Sequence, residues 1–243
     1  VTEENSTQEG GITLIKVDKP NMAQKGTISV EKTGEVFFGV NVSGEEDKDV
    51  IYQPVYKVKG LAGAVYEITA DEDVITPDGT LRYHKGDVVD TVTTNEDGKA
   101  KSKELYLGKY TVVETKAPNG MVINKEKHSV ELTYAGQDVA VTETATSFVN
   151  ERQKVKISLE KVLEQNETFG IGKNDKIKNI SFGLYAKEDI VSSSGTVIPA
   201  DGLIEIITLD ENGTATANTD LPFGSYYIKE IATDEHYILS DTQ

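Results

Sequence analysis

Lys32, Glu114 and Asn150 are the residues of this sequence whose types could react with one another. From Thr27 to Lys32 apolar and polar side chains alternate, which puts Ile28, Val30 and Lys32 on one face of a strand. A lysine on an apolar strand face is out of place unless something makes use of it. Tyr110, Val112 and Glu114 share a face in the same way, as do Phe148 and Asn150. Turned into one core, an ammonium and a carboxylate are costly unless both become neutral. Desolvation pushes a buried lysine down and a buried carboxyl up, so the expected pair is a free amine beside a carboxylic acid. A neutral amine is a nucleophile. The protonated Glu114 can polarise the Asn150 carboxamide and pass protons to departing ammonia. Held in contact, the groups need no separate enzyme, because proximity supplies much of the barrier reduction. The expected product is a Lys32–Asn150 isopeptide bond, formed once per molecule rather than by a turnover enzyme.

The constellation has a partial twin. Asn21 and Asn150 each stand eleven residues before a lysine (21 to 32, 150 to 161), and Ile157, Leu159 and Lys161 repeat the alternation of Ile28, Val30 and Lys32. Glu72-Asp73 matches Glu188-Asp189 and Gly79-Thr80 matches Gly195-Thr196, each 116 residues on; Glu114 falls on Glu230 at the same interval. Such internal similarity marks tandem copies of one module. Each Asn–Lys stretch is then a junction, where one module's last strand ends on the Asn and the next module's first strand carries the Lys. The stretch from Glu151 to Glu164 is rich in helix formers, but its counterpart carries Gly26, Thr27 and Gly34, which a helix resists, so a strand is expected.

Composition agrees with strands and narrows the partners. The 243 residues suffice for about two domains, and Val, Ile, Thr and Tyr alternate between glycine-rich turns. A formal charge of −16 argues against a nucleic acid or an anionic membrane as partner. There is no cysteine, hence no disulfide and no thiolate chemistry. No apolar run is long enough to span a bilayer, so direct membrane insertion is not expected. His84, His128 and His236 lack metal-ligand spacing, so neither metal nor cofactor is expected.

In chain order, residues 1–25 are expected to be a polar tail and the closing strand of a preceding domain. The alternative is a free-standing first strand with Lys16 as its key lysine. Residues 26–150 form the first module, with about seven strands and hence a β-sandwich. Its long excursion after Lys32 carries the acidic run 45–49, read as a solvated loop. Val88–Thr94 and Lys101–Leu107, joined by the turn Asn95-Glu96-Asp97-Gly98, are expected to form a hairpin. Residues 151–243 are expected to form a second module, incomplete at its C-terminal end and lacking its Asn, so that Lys161, Glu230 and Asn21 stay unbonded.

These features resemble the prealbumin-like Cna B-type (SpaA-type) domains of Gram-positive adhesins and pilins. The resemblance rests on Lys32, on Leu61-Ala62-Gly63-Ala64-Val65-Tyr66, on Tyr110–Glu114 with Ala117-Pro118-Asn119-Gly120, and on Phe148-Val149-Asn150. It covers the first module throughout and the second as far as that goes; there Thr233-Asp234 replaces Ala-Pro. It implies an all-β fold of tandem Ig-like or transthyretin-like sandwiches, with a Lys–Asn bond promoted by Glu114. It also implies a secreted stalk or shaft module displayed on the cell wall of a Gram-positive bacterium. The expected partners are neighbouring domains of the same surface protein. A sandwich that grips a host matrix protein or a glycan is the alternative. Strand exchange between copies, with Gly11–Asn21 donated to the second module, is a further expectation.

Overall fold

The computed structural model describes residues 6–15, 17, 21–44, 50–164, 176–234 and 237–240. Two short strands come first. Ser6–Glu9 (β1) pairs with Ile12–Ile15 (β2) around Gly10 and Gly11, both in the left-handed region (φ 56° and 77°) that a two-residue hairpin turn requires. Residues 6–15 of the expected polar tail thus pair with each other as a hairpin. The paired glycines are the signal for it. Lys16 and the acidic run 45–49 lie outside the described residues.

The first module is built on β3 (Lys25–Ser43), whose early half is alternately buried. Residues 25–34 of β3 are flanked on one side by Val141–Asn150, a parallel strand in the register Lys32 opposite Phe148. Lys99–Lys101 and Leu105–Tyr106 pair with β3 antiparallel. With β4 (Ile51–Gly60), β5 (Val65–Ala70), β6 (Val74–Ile75), β7 (Leu81–Tyr83) and β8 (Val88–Thr93) named in order, those two short strands are β9 and β10. Gly108–Lys116 is β11, Lys127–Leu132 is β12, and the parallel strand is β13. The second layer runs β12-β11-β5-β8. Ile28, Val30, Leu105 and Phe148 of the first layer pack against Tyr66, Ile68, Tyr110, Val112 and Leu132 of the second.

One expected pairing does not form. The turn after Asn95 is made, but β8 pairs with β5 and β9 with β3, so this turn carries the chain from one layer to the other. Both sheets can use alternating strands, and local spacing does not say which sheet receives them.

The second module repeats the first. β14 (Ser158–Glu160) pairs with β19 (Thr214–Thr216) as β3 does with β9. β15 (Ser181–Ala186) lies between β18 (Leu203–Thr208) and β20 (Tyr226–Ala232), as β5 lies between β8 and β11. The hairpin of β16 (Ile190–Val191) and β17 (Val197–Ile198) matches β6 and β7. No helix forms over Glu151–Glu164, where β14 and two isolated bridges stand; one 3-10 turn covers Lys176–Asn179. The chain is all-β and its modules are sandwiches in tandem.

The far half of β3 and all of β4 leave the first module as a two-stranded arm. Ile51 pairs in parallel with Leu203, joining β4 to the sheet of the second module. Phe37, Val40 and Tyr52 of the arm pack on the core of Leu184, Ile198, Ile204 and Ile207. Arg152, at the junction, is buried with its guanidinium over the Tyr56 ring (4.0 Å) and bonded to Asp220 and to the Leu221 carbonyl (3.2 Å).

Candidate functional site

Three strands of the first module converge on one buried cluster. Lys32 stands on β3, where its N–H donates to the Gly98 carbonyl (2.7 Å) and its carbonyl accepts from Leu61 (3.0 Å). Gly98 is required here: its φ is +76°, and a Cβ at this position would meet the Lys32 carbonyl oxygen at 2.2 Å. Glu114 lies opposite Tyr66 on β11, just before a break in register at Lys116, the kind of irregularity that re-aims a side chain. Asn150 ends β13 two residues beyond Phe148 on the same buried face.

The side chains of Lys32 and Glu114 are entirely buried (0% exposed). Lys32 Nζ lies 3.1 Å from Glu114 Oε1 and donates to Asn150 Oδ1 in a short contact. Asn150 Nδ2 donates to both Glu114 oxygens at 3.0 Å. Glu114 Oε2 also accepts the Asn124 backbone N–H at 2.7 Å. Tyr66 and Phe148 wall the cluster, ring centroids 4.7 Å apart, with Lys32 Nζ 5.9 and 5.8 Å from them. His128 stacks on Phe148 from the other side. Burial pushes the Lys32 amine below its ordinary value, although the hydrogen bond and the charge of Glu114 pull it back. The arrangement puts an amine, a carboxamide and a carboxyl in mutual contact with water excluded.

The second module holds two of the three groups. Lys161 Nζ lies 3.1 Å from Glu230 Oε2, and that oxygen accepts the Ser240 N–H at 3.2 Å. Glu230 is 2% exposed, and its Oε1 is buried without a hydrogen-bond partner. Lys161 is more open, its side chain 26% exposed. Among the described residues no asparagine-bearing strand flanks β14. Asn21 is exposed in coil and takes no part in the buried Lys32 cluster. No described helix is long and apolar enough to cross a membrane, and the described residues hold no cluster fit for a metal ion.

The family model for the SpaA prealbumin-like fold domain matches residues 54–146 and 167–243, well over half of the chain. The chain belongs to the SpaA prealbumin-like fold family. A curated relative of these SpaA-type modules is the trypsin-resistant surface T6 protein of Streptococcus pyogenes serotype M6. It is 29% identical over 139 residues, which are 56% of this chain and 24% of that protein. Among solved structures, the Bacillus anthracis TIE protein superimposes with a TM-score of 0.52 at 20% identity, covering 90% of this chain and 30% of that one. A streptococcal ancillary pilin also matches, at 18% identity and a TM-score of 0.32, covering 94% of this chain and 60% of that one. The chain thus spans about a quarter to a third of the first two. The family match and the likeness to the TIE protein agree on the fold.

Several contributors carry little trace in sequence. Asn124 acts through its backbone N–H, which no residue type announces. The arm residues Phe37, Val40 and Tyr52 alternate as any half-buried strand does, and nothing in them says that their partner is the next module. Tyr66 was legible as a core residue by its alternation with Ile68.

Proposed function

We propose that the chain is a stalk or shaft segment of a secreted, cell-wall-displayed surface protein of a Gram-positive bacterium, its first module closed by an autocatalytic Lys32–Asn150 isopeptide bond. The observation that carries this is the buried contact of Lys32, Glu114 and Asn150. Neutral Nζ attacks Asn150 Cγ, and the new C–N bond forms as the carbonyl electrons move to Oδ1. Glu114, as the carboxylic acid within 3.1 Å of Nζ and 3.0 Å of Nδ2, gives its proton to Nδ2 and takes up the one released by the amine. The C–Nδ2 bond then breaks, ammonia leaves, and a secondary amide remains. Each residue acts once, so the chemistry is maturation and not turnover. Neighbouring modules of the same surface protein are the partners of such a segment.

The Lys161–Glu230 pair supports the same chemistry in the second module once an asparagine reaches the orphaned Glu230 oxygen. Intact mass under denaturing conditions tests the proposal. The wild type is expected to lack the mass of one ammonia, and Glu114→Ala to regain it. A wild type at full mass refutes the bond.

A further inference from the structure

The two modules share a fold but differ at one corner, and the differences fall together. In the first module Thr69 and Thr111 are cross-strand partners on β5 and β11. Their counterparts 116 residues on are Tyr185 and Tyr227, partners on β15 and β20, with rings stacked 5.2 Å apart and 14° from parallel. The adjoining turn changes as well. In the first module its left-handed residue is Gly86 (φ 92°), whose N–H donates to the Ala70 carbonyl. In the second module the residue that donates to the Ala186 carbonyl is Asp201 (φ 60°), the one non-glycine residue with positive φ among those described. Tyr227 donates its hydroxyl to Asp201 Oδ1 at 2.9 Å. Aspartate is among the few residues besides glycine that adopt this conformation readily, so the position carries a carboxylate where the first module has no side chain.

Tyr185 and Asp201 border a groove of about 370 Å³ between the arm and the second module, lined also by Val50, Tyr52, Pro199 and Leu203, with Tyr227 behind Tyr185 and outside the lining. Clefts at module junctions are favoured ligand sites. The named lining holds aromatic rings, aliphatic surface and a carboxylate, with no cationic side chain. Phosphate, sulfate and acidic sugars are therefore disfavoured, the more so against a chain charge of −16. The Tyr185 ring, backed by Tyr227 at 5.2 Å, offers one flat surface and not the enclosing cage that holds an ammonium.

We propose that this groove binds a neutral pyranose unit of a glycan, its C–H face against the Tyr185 ring and its hydroxyls donating to Asp201. The first module, with Thr69, Thr111 and Gly86 at the corresponding places, lacks the site. The arm supplies Tyr52, so the site exists only where the two modules meet.

Saturation-transfer NMR on the whole chain tests this, with maltotriose, lactose and triacetylchitotriose as probes and choline as a cationic control. Transfer to ring protons of at least one sugar is expected, and Tyr185→Thr should weaken that binding about tenfold. Should that variant fold poorly, Asp201→Gly copies the turn of the first module and relieves the left-handed backbone. It is expected to raise the melting temperature while weakening sugar binding, a pair of opposite changes that a purely structural aspartate does not produce. No transfer from any of the three sugars, transfer unchanged in Asp201→Gly, or a response to choline alone would overturn the proposal. The mass of the Lys32 crosslink is independent of every one of these outcomes.

Discussion

Replacing Asn150 by alanine removes the acceptor of the proposed bond and leaves the Lys32–Glu114 pair at 3.1 Å in place. The bond spans 118 residues, and closing a loop of that size removes about 5 kcal/mol of unfolded-state entropy at 25 °C, if disulfide loop entropy transfers to this amide. The first module, residues 26–150, has an unfolding entropy of about 0.26 kcal/mol/K, so 5 kcal/mol corresponds to about 20 °C in melting temperature if it melts alone. If the arm makes both modules melt as one unit of 243 residues, the same loss is spread over twice the entropy and the shift is about 10 °C. Calorimetry beside intact mass separates these cases. A wild type lacking one ammonia, with a variant melting within about 5 °C of it, would refute the loop argument while leaving the bond standing. A wild type of full mass would remove its premise.

Three further outcomes are expected. In Asn150→Ala the free Lys32 amine is held low by burial, with Glu114 partly opposing, so the unfolded chain binds its proton more tightly. Stability should therefore rise with pH toward about 10.4, where the unfolded lysine titrates. Above about pH 10 tyrosines reverse the trend, since burial and Asp201 push Tyr227 up to about 12. Melts at increasing pH up to about 10 should show the rise in the variant and none from this group in the crosslinked wild type; a fall in the variant contradicts the assignment. Gly98→Ala, whose new methyl meets the Lys32 carbonyl, should cost more than about 1 kcal/mol and slow bond formation, followed as the fraction of ammonia lost with time. Phe37→Ala, a change in the first module's own strand, should destabilise the second module by about 1–3 kcal/mol, less than a fully buried phenylalanine would, seen as faster proteolysis within residues 176–234.

The sequence disclosed the site better than the paths that assemble it. Lys32, Glu114 and Asn150 each carry a polar group at an apolar strand position, and that contradiction between face and residue type is visible without a structure. The twin module gave the register, since Glu230 and Lys161 repeat the positions. Strand partners were less legible. The Asn95–Gly98 turn looks like a hairpin turn, yet β8 and β9 enter different sheets because burial on both layers satisfies the same alternation. The arm was hidden for a related reason: Phe37, Val40 and Tyr52 say that one face is covered and not by what. Gly10-Gly11 was informative, but a short polar hairpin has too few apolar residues to stand out.

The arm also bears on how such chains can be recombined. Residues 26–150 look like a self-contained cassette in sequence, but Phe37, Val40 and Tyr52 belong to the core of the module that follows. A gene rearrangement that cut at Asn150 and joined a foreign module would strand those side chains in solvent and open the new neighbour's core. Exchange is tolerated only if the incoming module offers the same receiving surface. The dependence runs one way along the chain, from the arm of the first module to the second, so a series assembled on this plan would have a fixed reading direction. Residues on the arm and on its receiver should therefore change together among relatives, across a boundary that a domain-by-domain alignment would treat as independent.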